Sequence, residues 1–351
     1  ARFRVAERFE VGAPTYVRAL TIEKGGTLWV GTSGGVHEVD LAGAKVRRTF
    51  TRQHGLANEY VFAVGIDHDG YKWFGTNAGG ASRYRDGKWK TYFPMHGLAD
   101  YWIYAFAQQK NGDFWIGTWA GVNKVDGRSG KFSTYVKELV NEWVYGIAVD
   151  ARDRVWFGTE GGVTLYDGKH WTSWTHKDGL GAPNRQNLPS SANTGLGTRS
   201  RHDLSTAVEG DPSYNRNYVF SILVEPDDTV WAGTWDAGLN RLDPATGTVT
   251  QYRHDPADGA SVSDDNIQAL LQDPNGDLWV GTLGGGLNRF DPATKTFTHY
   301  PDAASNPKGL PSNRVTSLLL DRAGRLWVAT WGGGLARFDG TALYEYEDPR
   351  K

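Results

Sequence analysis

Short apolar runs alternate with polar punctuation along most of the chain, and the pattern is clearest over residues 61–92. Val61-Phe62-Ala63-Val64-Gly65-Ile66 is apolar, Asp67-His68-Asp69-Gly70 supplies turn residues, and Lys72 to Thr76 forms a second run. The Asn77-Ala78-Gly79-Gly80 turn, Ala81-Ser82-Arg83-Tyr84, the Asp86-Gly87 turn and Lys88-Trp89-Lys90-Thr91-Tyr92 complete the unit. This spacing predicts four short strands joined by tight turns. No segment keeps a helical period over three turns, and Gly, Asp and Asn recur every 8 to 12 residues, so the prediction is an all-β meander.

The unit repeats. Leu28-Trp29-Val30-Gly31-Thr32 returns around Trp73, Trp115, Trp156, Trp231, Trp279 and Trp327, and only the last copy, Leu326-Trp327-Val328-Ala329-Thr330, breaks the Gly. The steps from Trp to Trp are 44, 42, 41, 75, 48 and 48 residues, which marks one insertion between the fourth and fifth copies. A period in this range signals a repeat architecture. One four-stranded meander with two apolar faces cannot bury itself, whereas packing each sheet against the next around an axis buries both faces. The predicted fold is therefore a single seven-bladed β-propeller of four-stranded antiparallel blades, at about 17–51, 60–92, 102–135, 143–174, 218–252, 266–300 and 314–347. Arg2 to Phe9 reads as a further outer strand that either adds to Leu343–Glu347 in blade seven or displaces it, so that the two termini close the ring. Residues 178–217, rich in Gly, Ser, Asn and Arg, are predicted to be a loop on the upper face.

A meander also fixes which turns share a face. The turns between the first and second strands and between the third and fourth lie below. Those between the second and third, with the connections from blade to blade, lie above. The seven repeated Trp residues should pack between sheets, where each buried ring contributes on the order of 2 to 3 kcal/mol. Trp89, Trp171 and Trp174 fall in outer strands and are expected to pack as well.

The remaining five Trp are predicted above: Trp119, Trp235 and Trp331 directly after the Gly-Thr or Ala-Thr, and Trp102 and Trp143 where inner strands open. Tyr16, Tyr60, Tyr218, Asn266 and Arg314 fill the same opening column in the other blades, beside Glu59, Tyr101 and Glu142. Two residues further in stand Arg18, Phe62, Tyr104, Tyr145, Phe220, Gln268 and Thr316. Aromatic faces stack on sugar rings or cations, and nearby carboxylates and amides fix orientation, so this face is the candidate ligand or partner site; the rings could instead simply plug the funnel.

Other motifs carry less. His54, His96 and His176 recur near Gly-Leu pairs, but repetition spreads them around the rim, too far apart to meet on one ion. The Asp/Gly turns lack the spaced ligands of a calcium loop, so no metal and no cofactor is expected. Glu59 and Glu142 are the best acid-base pair, without spacing that brings them together. No nucleophile elbow, phosphate loop or zinc-ligand motif is present in the sequence. A formal charge of -2 with no long Lys/Arg cluster argues against nucleic acid, and no apolar run approaches 18 residues, so no membrane span is expected. The absence of cysteine excludes disulfides and thiolate metal sites. Numbering that opens at Ala1 fits a mature product after removal of an export signal.

Leu310-Pro311-Ser312-Asn313-Arg314-Val315-Thr316-Ser317-Leu318, then Asp321-Arg322-Ala323-Gly324-Arg325-Leu326-Trp327, then Gly333-Gly334-Leu335-Ala336-Arg337-Phe338-Asp339 resembles the two-component regulator propeller repeat, and the match recurs in all seven copies. In that family the repeats often build extracytoplasmic sensor regions, some recognising oligosaccharides, which implies binding rather than catalysis. This sequence shows one ring, with no immunoglobulin-like module, membrane helix or kinase after it. The expectation is thus a stand-alone periplasmic or extracellular bacterial propeller that binds a protein or a carbohydrate through its upper face. The alternatives are a propeller lyase or hydrolase using the same mouth with a metal, and a structural subunit of a larger extracytoplasmic assembly.

Overall fold

Each copy of the repeat folds as one antiparallel sheet, and seven four-stranded sheets follow one another in chain order around an axis. The computed structural model describes residues 8–9, 16–41, 45–181, 218–302, 304 and 309–338. The inner strands are Val17–Ile22, Val61–Ile66, Ile103–Gln108, Val144–Val149, Val219–Val224, Ile267–Gln272 and Val315–Leu320. The seventh inner strand packs against the first, which closes the ring. Blade seven takes its outer strand from the other end of the chain: Arg8 pairs with Ala336 and Phe9 with Leu335. Residues 343–347 and residues 182–217 of the predicted loop lie outside the described residues.

The repeated sequence features each have a physical cause. The motif Trp of every blade is buried to 5% exposure or less and sits in an apolar cluster shared with the next blade. Burial forces the indole N–H to find an acceptor, since an orphaned donor costs about 1–3 kcal/mol. In six of the seven blades the residue six positions earlier supplies it. Trp73 donates to Asp67 at 2.8 Å, Trp115 to Gln109 at 2.8 Å, Trp156 to Asp150 at 2.9 Å, Trp279 to Asp273 at 3.1 Å and Trp327 to Asp321 at 2.9 Å. The Asp/Gly turns therefore do more than reverse the chain, because their first carboxylate is also the Trp partner.

The Gly that follows Trp is set by close approach. A Cβ on Gly75 would lie 2.6 Å from Ile103 Cγ2 of the next blade, and one on Gly281 would lie 2.5 Å from Val315 Cγ1. The Thr hydroxyl then donates to the carbonyl of the residue that ends the turn, as from Thr118 to Gly121 at 2.8 Å and from Thr330 to Gly334 at 2.8 Å. Gly121 itself has φ of 105° and would press a Cβ to 2.5 Å of the Tyr135 carbonyl, so only Gly fits there.

The connections between blades are pinned from the third strand. Asn123 accepts from Ala99 N–H at 2.7 Å, Ser82 Oγ from Ala57 N–H at 3.0 Å, and Asn288 from Ser263 N–H at 3.1 Å. Buried Leu56 and Leu98 anchor the first two of these connections, and buried Leu180 anchors the one after blade four, where Asn240 accepts from Gly181 N–H at 2.9 Å. His54 and His96 each accept through Nδ1 from the backbone N–H three residues earlier, at 3.2 and 3.0 Å, and so cap short 3-10 turns. At the third such turn the cap is Asp178, two residues after His176, which accepts from Thr175 N–H at 2.8 Å. His54 and His96 are exposed and His176 is half-buried, each as a cap or turn residue.

Candidate functional site

Every inner strand carries a β-bulge at the same place, with the register shifting between its first and third residues. A bulge sets two residues against one and re-aims the extra side chain. Here the extra residues are Arg18, Phe62, Tyr104, Tyr145, Phe220, Gln268 and Thr316, and they meet around the axis.

Their contacts run from blade to blade. Phe62 stacks on Tyr104 with centroids 4.7 Å apart, Tyr104 meets Tyr145 edge to face at 5.1 Å, and Tyr145 stacks on Phe220 at 4.9 Å. Arg18, from blade one, lies with its guanidinium carbon 4.9 Å from the Phe220 ring centroid of blade five and donates to Gln268 Oε1 of blade six at 3.1 Å. Thr316 Oγ donates to the Val17 carbonyl, joining blade seven to blade one. A layer of side chains thus spans the axis, aromatic over blades two to five and polar over blades six, seven and one. The residues of this layer, with the third and fourth residues of the inner strands, line an axial cavity of about 240 Å³.

Above this layer the two predicted columns meet as pairs within each blade, because the residue after the Thr donates its backbone N–H to the strand-opening carbonyl. Asn77 does so to Tyr60 at 2.9 Å, Trp235 to Tyr218 at 2.9 Å, Leu283 to Asn266 at 3.0 Å and Trp331 to Arg314 at 2.8 Å. Side chains follow the backbone. Trp102 stacks on Trp119 at 4.4 Å with planes 8° apart, Tyr218 lies 6.4 Å from Trp235, and the Arg314 guanidinium covers Trp331 at 5.3 Å. Trp119 in turn stacks on Trp143 at 5.8 Å, and Trp331 reaches across the ring closure to Tyr16 at 4.5 Å. Tyr16 continues to Tyr60 at 5.6 Å, and Tyr60 to Phe62 at 5.0 Å.

Exposure divides these residues. Trp119 and Trp143 are buried within an aromatic cluster that includes Tyr145, and Trp102, Tyr60, Tyr218 and Trp235 are half-buried. Trp331 is 41% exposed and Tyr101 36%. Tyr101 stands apart, beside Phe93 at 6.2 Å on the blade connection. Glu59 accepts from the Arg52 backbone N–H at 3.1 Å and so holds a connection in place. Glu142 is only 3% exposed, and blade three stands between it and Glu59, so these two are not brought together as a pair.

The sequence reading passed over one residue of this region. Glu160 follows Gly158-Thr159 in the column that elsewhere holds Trp119, Trp235 and Trp331, and it is fully buried, its backbone N–H donating to the Trp143 carbonyl at 3.1 Å. The column alignment alone could have found it. Burial, with the Glu160 carboxylate adding to it, holds the Tyr145 phenol well above its ordinary pKa. Burial likewise pushes Tyr60 up to about 12, Tyr16 adding to the effect and Arg18 opposing it. Both phenols are neutral at physiological pH. Among the described residues no group of three His, Cys, Asp or Glu side chains is gathered to hold a metal.

A ring of seven like scaffolds whose axial side chains are Arg, Phe, Tyr, Tyr, Phe, Gln and Thr in turn defines a seven-bladed β-propeller with an asymmetric axial site. Residues 97–120, 138–161, 261–284 and 309–332 match the two component regulator propeller family, each match covering an inner strand and the Trp strand after it. Four of the seven blades thus carry a match to that repeat. A search of curated proteins finds no match.

Among solved structures, the extracellular domain assigned to a one component system of B. thetaiotaomicron is similar over 96% of this chain and 40% of that one, with a TM-score of 0.71 and 20% identity. The extracellular domain assigned to a hybrid two component system of the same organism gives 0.70 and 22% over 94% and 40%. The chain thus spans about two-fifths of the length of these domains. Virginiamycin B lyase from Staphylococcus aureus is similar over 94% of this chain and 96% of its own, with a TM-score of 0.65 and 17% identity. These likenesses establish the fold. Among the described residues no helix is long and apolar enough to cross a membrane.

Proposed function

We propose that this chain is an extracytoplasmic, non-catalytic binding propeller that recognises a carbohydrate or a protein through the face where its inner strands open. One observation carries the reading. Trp331 is held in place by Tyr16 on one side and Arg314 on the other, yet 41% of it faces solvent. A fixed, exposed aromatic face presents binding area with little ordering left to be lost, as in aromatic hot spots and sugar platforms. Likeness to extracellular domains of bacterial regulatory systems supports the compartment and the sensing role.

Intrinsic Trp fluorescence, titrated with an oligosaccharide panel and then with purified candidate proteins, tests it. The expected result is a saturable change that Trp331→Ala abolishes and that Tyr101→Ala weakens. A saturable change that survives both substitutions would move the site away from this face.

A propeller lyase or hydrolase is the second reading, favoured by the two buried carboxylates of Glu142 and Glu160 beside the aromatic cluster. It predicts turnover of a bound ligand that Glu142→Gln or Glu160→Gln abolishes while leaving affinity nearly unchanged.

A further inference from the structure

We propose that the Arg18 guanidinium is the receptor for a carboxylate on the ligand of this propeller. The proposal rests on the reading of this chain as a binding propeller, narrows it to acidic ligands, and seats the acidic group in the axial cavity beneath the strand-opening rim.

The geometry of the guanidinium carries the inference. Nη1 donates to Tyr16 Oη at 3.2 Å and to Gln268 Oε1 at 3.1 Å, and Gln268 is itself oriented by donating to Asn266 Oδ1 at 2.5 Å. Phe220 covers one face of the group. The N–H groups on Nε and Nη2 have no acceptor among the described residues, and that edge is the fork that matches two carboxylate oxygens. Arg18 is thus aligned by three neighbours and left open on the edge that recognises a carboxylate.

Charge points the same way. Arg18 is half-buried and forms no ion pair with any described residue. The phenols that surround it, Tyr60 and Tyr104, are held neutral by burial and cannot supply the counter-charge. A cation partly withdrawn from water without a counter-ion is unfavourable, and an arriving anion relieves that penalty. Space is present as well. Arg18 lines the axial cavity of about 240 Å³, which lies on the far side of the side-chain layer from the strand-opening residues and is walled there by the third residues of the inner strands, among them the small Ala19, Ala63 and Ala105. A carboxylate with the compact ring or chain that bears it fits that volume. A uronic sugar and an acidic amino-acid side chain share this group.

The test uses the full chain with glucuronate, glucose and N-acetylglutamate as probes. Affinity is read by calorimetry, and the Arg18 Nε–H resonance by nitrogen-labelled NMR. One or both acids should bind and shift Arg18 Nε–H, the better one identifying the source of the carboxylate, while glucose leaves the resonance in place. Arg18→Lys retains the charge and loses the fork, and should weaken the acid about tenfold, the scale of one charge-assisted hydrogen bond. Arg18→Gln should abolish binding with its melting transition retained; should that variant misfold, the Lys variant and the wild-type resonance decide alone. Equal binding of glucose and glucuronate, an unmoved Arg18 resonance, or full affinity in the Lys variant overturns the proposal. A neutral sugar or protein that still quenches Trp331 while Arg18 is unmoved would leave the broader binding reading standing and remove this one.

Discussion

The Trp girdle between the blades and the side-chain layer across the axis are built by the same repeat, yet they obey opposite rules. In the girdle, one residue type fills all seven places and in six of them meets an acceptor six positions earlier. In the axial layer, the equivalent places hold Arg18, Phe62, Tyr104, Tyr145, Phe220, Gln268 and Thr316, and no blade repeats its neighbour's surroundings. A scaffold made of copies is best served by one solution used seven times. A ligand that lacks sevenfold symmetry is met only where the copies differ. Repetition therefore marks what holds the ring together, and its breakdown marks where the ring does something.

The largest expected effect strikes the girdle. Trp156 is fully buried between blades four and five, so Trp156→Ala should destabilise the fold by about 3–5 kcal/mol, read as a drop in the denaturant midpoint. Its effect on affinity should vanish once the fraction folded is taken into account.

Acid provides the next contrast, again within the scaffold. His37 is buried in blade one, its Nδ1 2.9 Å from Thr49 Oγ1, and burial lowers its pKa to about 4. The unfolded chain takes up the proton near pH 6.5 and the folded one only near 4, so this contribution is complete above about pH 6.5 and is lost as the pH falls toward 4. Over that window it amounts to about 3 kcal/mol, and His37→Gln should flatten the pH dependence of the melting temperature there.

Asp321 acts lower on the pH scale. Burial alone would raise its pKa, but hydrogen bonds from the Trp327 indole, the Arg325 backbone and the Arg325 side chain hold it below the ordinary value. Its contribution is therefore present above the unfolded carboxyl range, near pH 4, and disappears as pH falls through the depressed folded value. Asp321→Asn should cost about 1–3 kcal/mol at neutral pH, with a smaller further loss on acidification, measured by denaturation at both pH values.

The smallest stability effect belongs to the rim. Trp331→Ala removes an exposed ring and should change stability by less than about 1 kcal/mol, while removing the ligand response. Loss of stability as large as that of Trp156→Ala would make Trp331 part of the girdle and erase the distinction.

The sequence displayed the girdle more openly than the axis, for physical reasons. Seven Trp-x-Gly-Thr or Trp-x-Ala-Thr motifs announce the blades because each serves the same local geometry, and the columns of the opening residues could be aligned from them. The Trp acceptors were visible as well, with Asp67, Asp150, Asp273 and Asp321 all six residues ahead of a Trp, but the turn chemistry of these segments explained them too readily. The bulge had no sequence signature of its own. It is a property of register between two strands, and it decides that the inner column meets around the axis rather than leaving an open pore. Glu160 was hidden for a different reason: it is an acid in a column otherwise noticed for its Trp residues, and exposure at a turn was the simpler expectation.

Hydroxyl-radical footprinting of the chain with and without its ligand, read residue by residue, tests most directly whether the site lies where the repetition breaks. Protection of Trp331, of the strand-opening residues and of the axial Phe62, Tyr104 and Phe220 is the predicted result. Protection confined to the lower turns, such as Asp86-Gly87 or Asp291-Pro292, with Trp331 as reactive as before, would place the interface on the repeated scaffold and contradict it.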